Sequence, residues 1–118
     1  AFELIKKAFY DLDNISSDVK NQWNLWFKNY NSRLQLESLS HAQRKEKMNA
    51  VNPKYVLRNY MSQLAIDKAD EGDYSLIDVL YQLLKSPYSE QPANEKWFAK
   101  RPEWARNKVG CSMLSCSS

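Results

Sequence analysis

Two thiols, one imidazole and a knot of carboxylates are the groups in this chain that could do chemistry. Cys116 lies two residues from the end, between Ser115 and Ser117, with Ser118 beyond. Small polar neighbours provide no burial, so an exposed thiol is expected there, its reactivity set by how much thiolate forms. Cys111 precedes it in the same Ser-rich stretch. One histidine and two cysteines cannot assemble a zinc site of the usual kinds. His41 stands in a charged stretch expected to face solvent, which makes it a poor centre for a catalytic triad. Asp67, Asp70, Glu71 and Asp73 crowd around an expected helix end, where solvation and capping account for them better than a bound metal does. Only Gly72 and Gly110 are glycines. Neither a G-x-G nor a Walker pattern can be written, so no loop can bring its backbone close to a triphosphate. His-Arg-Asp and Asp-Phe-Gly patterns are missing too. No catalytic, cofactor-binding or metal-binding residue is therefore assigned in this chain.

The elements that must carry these groups are helical. The chain has 118 residues, enough for one domain, and 43% of them are hydrophobic, normal for a globular core. No apolar run reaches membrane-spanning length. Lys6 and Lys7 lead into Ala8-Phe9-Tyr10 and then Asp11, which is no signal peptide. The opening Ala1-Phe2-Glu3-Leu4 is already in a helical pattern and points to a piece of a larger protein. The net charge of +3 hides local blocks, basic from Arg44 to Arg58, acidic from Asp67 to Asp78 and basic again from Lys96 to Lys108. Such alternation marks solvated helix faces or surfaces that pair with another domain.

Phe2, Ile5, Phe9 and Leu12 recur at helical spacing and predict a first helix ending near Asp13-Asn14. Ser16 or Ser17 caps a second. Its stripe of Val19, Trp23, Trp26, Phe27, Tyr30 and Leu34 could be a platform for stacking bases or a helix core. The spacing follows 3.6 residues, so core is the expectation. Ser40-His41-Ala42-Gln43 has the form of a capping box opening a short charged helix that ends near Met48-Asn49. Asn52-Pro53 reads as the start of the next helix, with Leu57, Met61, Leu64, Ala65 and Ala69 on its buried face and Gly72 at its end. Asp73 or Ser75 caps a following helix whose stripe is Leu76, Ile77, Leu80, Leu83 and Leu84, closed by Ser86-Pro87. The connection at Gly72 is so short that the two must form an antiparallel hairpin. Pro92 and Pro102 bracket a short helical turn around Trp97 and Phe98. The expected fold is thus all-α, a small helical domain over 1–108 around a central hairpin, with a flexible Ser/Cys-rich tail over 109–118.

The run Asn52-Pro53-Lys54-Tyr55-Val56-Leu57-Arg58-Asn59-Tyr60 resembles the C-terminal region of the selenoprotein O family. Met48-Asn49 upstream, Ala65-Ile66 leading to Glu71-Gly72-Asp73, Pro87-Tyr88 followed by Glu90-Gln91-Pro92, and Pro102-Glu103-Trp104-Ala105 before Ser115-Cys116-Ser117-Ser118 agree in order. The resemblance runs from Met48 to the end; residues 1–47 match only in helical character. The spacer from Trp104 to Cys116 is longer than the family's short link, and Cys111 is an addition within it.

That resemblance implies a parent protein with a kinase-like fold that transfers AMP from ATP, with magnesium or manganese, to hydroxyl groups of proteins. The family's phosphate-binding lysines, catalytic aspartate and metal ligands lie upstream of this region. The chain is then a non-catalytic helical domain packing on the kinase-like core, with Lys54 and Arg58 tying it to acidic or backbone groups there. At Cys116 the resemblance implies a redox residue, since many eukaryotic members place selenocysteine there and are thought to bridge it to a cysteine of the kinase-like domain. Protein substrates are reached through the parent, a cytoplasmic location is expected, and no membrane partner is. The alternative is an independent helical module that binds protein or nucleic acid, supported by the aromatics and the stretch from Arg44 to Arg58. Its charge is modest and is followed by an acidic block, so nucleic acid is the weaker reading.

Overall fold

The computed structural model describes residues 1–111; residues 112–118, Cys116 among them, lie outside the described part. The fold is all-α. Its helices are α1 (Ser17–Leu34), α2 (His41–Val51), α3 (Asn59–Asp70) and α4 (Ser75–Lys85), joined by short 3₁₀ turns at Phe2–Leu4, Lys6–Ala8, Pro92–Trp97 and Glu103–Ala105. The chain divides into two compact units, Ala1–Gln43 and Arg44–Ser118.

In the first unit the expected opening helix is two 3₁₀ turns instead. Ala1 offers no side-chain cap, and Phe9 leaves the helical region for an extended conformation. An uncapped helix of about twelve residues is marginal in water, so tertiary contacts decide its geometry. Here the Phe2 amide donates to Asn24 Oδ1 at 3.0 Å, and the Phe9 ring stands edge-on to Trp23 at 6.4 Å. α1 begins as anticipated, with Ser16 Oγ accepting from the Val19 amide at 3.3 Å. Its aromatic stripe forms a chain of ring contacts, ending with Trp26 and Tyr30 stacked at 5.1 Å and 8°. Among the described residues of its own unit, the core expected of that stripe is not completed. No residue of α1 is buried, and Trp26 is 50% exposed. Helical spacing fixes which side chains share a face but does not supply what covers them.

The capping box at α2 forms in both directions. The Ser40 amide donates to Gln43 Oε1 at 2.9 Å, and the Gln43 amide donates to Ser40 Oγ at 3.2 Å. α2 continues to Val51, and there a second expectation is corrected. Asn52-Pro53 ends a helix and does not start one. Both the amide and the side-chain Nδ2 of Asn52 donate back to the Met48 carbonyl, at 2.9 and 2.7 Å. Proline just past a helix end prevents its continuation, and the same dipeptide serves either role. Residues 53–58 run without helix, and α3 begins only at Asn59. Leu57, expected on the buried face, is 48% exposed, while Tyr55 is buried in its place.

From α3 onward the pattern is followed closely. Gly72 adopts a positive φ of 85°. Its amide donates to the Ala69 carbonyl and that of Asp73 donates to the Lys68 carbonyl, both at 2.9 Å, the paired bonds of a Schellman stop. α3 and α4 pack on each other across the connection 71–74. Met61, Ala65, Leu80 and Leu83 meet Tyr55, Tyr60, Trp97, Ala105 and Cys111 in one core, with Leu64 and Leu76 packed beside it. Ile77, placed in the stripe by spacing, is half-exposed. Cys111, expected in the tail, is a core residue.

Leu83 has no exposed surface. Leu83→Ala is expected to cost about 2–5 kcal/mol of unfolding free energy in urea titration. Leu57→Ala, at a position the sequence pattern ranked equally, is expected to change it by no more than about 0.5 kcal/mol.

Candidate functional site

Two stretches with prolines at their starts cross in the second unit. The first is residues 53–58, held away from helix by Pro53. The second begins at Pro87, where α4 stops. At the crossing the amides of Lys54 and Tyr55 both donate to the Pro87 carbonyl, at 2.9 and 3.1 Å. Tyr55 buries its ring and donates its hydroxyl to the Gln91 carbonyl at 3.2 Å. Gln91 in turn donates from Nε2 to the carbonyls of Leu83 and Ser86, at 3.0 and 2.9 Å. Those acceptors belong to the last turn of α4, whose carbonyls have no partner within the helix. Asn94 Nδ2 donates to Gln91 Oε1 at 3.0 Å and fixes the amide's orientation.

Lys54 closes this arrangement. Its Nζ donates to Glu90 Oε2 at 2.5 Å and Glu95 Oε2 at 2.8 Å. The ammonium also lies 5.1 Å from the centroid of the Phe98 ring and 5.5 Å from that of Tyr55. Its hydrogen bonds to Glu90 and then to Glu95 hold its pKa well above the usual lysine range. A lysine so engaged has its charge met inside its own unit. Arg58 is exposed beside the half-exposed Val56 and Leu57.

A second cluster holds the end of the described chain against α3. Asp67 accepts from Gln63 Nε2 at 2.7 Å and from Lys108 Nζ on its other oxygen. The Lys108 ammonium is 5.5 Å from the Trp104 ring centroid, and Trp104 stands edge-on to Tyr60 at 6.2 Å. The Lys108 hydrogen bond, then that from Gln63, lowers the Asp67 pKa; the same bond to Asp67 raises that of Lys108. Asp73 is engaged too, accepting from the Ser75 hydroxyl at 2.6 Å and its amide at 3.0 Å, which lowers its pKa. Glu71 approaches Lys68 at 3.6 Å.

These positions decide what the acids can hold. Both oxygens of Asp67, and Oδ1 of Asp73, accept from donors within the unit. Among the described residues no group of three or more His, Cys, Asp or Glu could ligate a metal. Gly72 and Gly110, the glycines with positive φ, stand singly and form no phosphate cradle. The described residues therefore do not fit a metal-bound triphosphate. No helix among them is long and apolar enough to cross a membrane. Trp97 Nε1 is buried and finds no hydrogen-bond partner among the described residues.

Sequence reasoning missed the bond from Lys54 to Glu90 and Glu95. Partners so far apart along the chain leave no periodic trace, although all three lie in or beside the runs singled out above. It also missed Cys111 as core, because a Ser-rich context masked a single buried position.

What these features define is a helical unit whose proline-punctuated crossing and charged pairs serve its own architecture. The model of the family described as protein adenylyltransferase SelO matches residues 3–85. The chain belongs to this family. The match takes in residues 3–47, which sequence resemblance had left to general helical character. Over its full length the chain is 59% identical to the protein nucleotidyltransferase YdiU of Flavobacterium johnsoniae, of which it covers 23%. It is also 47% identical, over 97% of its length, to that of Rhodopirellula baltica and 46% identical, over 97%, to that of Aromatoleum aromaticum, covering 22% of each. The chain thus spans less than a quarter of these relatives.

The Asp67–Lys108 pair carries a pH signature. A depressed carboxylate pKa stabilises the fold above the ordinary value of 3.8 and ceases to do so as pH falls through the lower folded value. Asp67→Asn is expected to lower the urea midpoint at neutral pH. That difference should close in acid and shrink in high salt, because the pair is partly exposed. A gap independent of pH would show that packing, not charge, sets the effect.

Proposed function

We propose that this chain is a non-catalytic helical region of a protein adenylyltransferase. It packs on the kinase-like part of the longer protein and carries a redox-regulatory thiol at Cys116. The observation that supports this reading is the family match over 3–85, joined to side chains that serve the region's own fold. ATP and its magnesium or manganese ion are then held by the kinase-like part, which also meets the protein substrates. Arg58 is an exposed cation offered to that part, with Val56 and Leu57 as apolar neighbours. A thiol that switches reversibly suits a reducing compartment such as the cytoplasm. The alternative of an independent protein- or nucleic-acid-binding module is weakened, since Lys54, within its basic stretch, is neutralised by Glu90 and Glu95.

Two measurements test the proposal. Calorimetric titration of ATP and magnesium into this chain alone is expected to give no saturable heat, and micromolar binding would assign the nucleotide site to it. In the longer protein, AMP transfer to protein hydroxyls is expected to respond to a thiol reductant, and Cys116→Ser to abolish that response. An undiminished response in the Ser variant would make Cys116 a bystander.

A further inference from the structure

The two thiols of this chain stand only five positions apart, which creates a problem of selectivity. Extended backbone covers at most about 3.3–3.6 Å per residue, so the Cys116 Cα can be no more than about 18 Å from that of Cys111. A disulfide needs Cα atoms within about 7 Å, a separation that a loop of this size readily reaches. If both thiols were available, oxidation would close the small loop before Cys116 met any distant partner.

The structure shelters Cys111. Cys111 is 6% exposed and packed in the core of the second unit. Its amide donates to the Lys108 carbonyl at 3.1 Å, forming a turn whose start is tied down by the Lys108 ammonium on Asp67. Gly110 sits inside that turn with φ at +83°, and a Cβ there would stand 2.2 Å from Gln63 Oε1. Gln63 and Asp67 lie one turn apart on α3 and are bonded to each other at 2.7 Å. Of these two bonded side chains, Asp67 takes the Lys108 ammonium and Gln63 occupies the space that a side chain at position 110 would need.

We propose that Asp67, Lys108, Gln63 and Gly110 form a latch that keeps Cys111 out of thiol exchange and leaves Cys116 to bridge to a thiol elsewhere in the longer protein. The second half rests on the redox reading of Cys116; the first does not. With a small-molecule disulfide as oxidant, the Cys116 thiolate attacks one sulfur and expels one small thiolate. The partner thiolate then attacks the Cys116 sulfur of the mixed disulfide and expels the second. Two protein thiols lose two protons and two electrons in all, and the small disulfide takes them up, leaving as two thiols. Without the latch, Cys111 is the nearer partner for that second attack.

The test measures alkylation of Cys111 by iodoacetamide in the longer protein, followed by peptide mass spectrometry. Labelling in the native protein is expected to be far slower than in urea. Gly110→Ala is expected to speed it about tenfold, because alanine resists the left-handed backbone. Asp67→Asn is expected to speed it several-fold. The reversed pair Asp67→Lys with Lys108→Asp should restore slow labelling, which a general loss of packing would not do. Treatment with a small-molecule disulfide is expected to leave Cys111 reduced in the parent and to divert part of Cys116 into a Cys111–Cys116 bridge in the two single variants. The latch is overturned if native Cys111 labels as fast as in urea, or if both single variants label as slowly as the parent. Should Cys116→Ser leave the redox response of AMP transfer intact while the labelling differences appear, the redox reading falls and the latch stands.

Discussion

Everything in the second unit depends on one carbonyl. Pro87 ends α4, and its oxygen receives two consecutive amides from the segment that follows α2. A segment without helix has backbone donors that need partners when buried, and each unmet one costs more than a made bond returns. By accepting both, Pro87 lets residues 54 and 55 run against the end of the hairpin, so that the Tyr55 ring enters the core beside Met61 and Leu83. The side chains around the crossing complete the same task. Gln91 satisfies the last carbonyls of α4, and Lys54 draws Glu90 and Glu95 over the outside.

Such a crossing explains why polar residues cluster there without forming a reactive centre. Lys54, Glu90 and Glu95 would look, as isolated residue types, like a phosphate-binding lysine with two metal-binding acids. Their mutual distances show the lysine's charge already met by the two carboxylates. The same holds at Asp67, where Lys108 and Gln63 use the carboxylate. In this region the charges thus maintain its own shape.

The helical hairpin was legible because its information is local. Apolar spacing in α3 and α4, Gly72 at the left-handed stop and the Ser40–Gln43 box are all settled within a few residues, and the structure follows them. Expectation failed where a local signal was ambiguous or too weak. Asn52-Pro53 marks a helix boundary in either direction, and only the bonds back to Met48 settle which side is helical. Phe2, Ile5 and Phe9 share a helical period, but a short uncapped segment yields to the contacts that Phe2 and Phe9 make with α1.

From its sequence alone this protein could be placed as all-helical and aligned with its family, because composition, period and runs such as Asn52–Tyr60 are properties of neighbouring residues. The scarcity of glycine likewise spoke against a phosphate loop before any fold was known. Tertiary structure alone decided that Lys54 belongs to Glu90 and Glu95, that Tyr55 and not Leu57 is core, and that Cys111 is sheltered against α3. Those outcomes depend on which distant segments share space, and burial and charge pairing act through distance in space, to which order along the chain is only a partial guide.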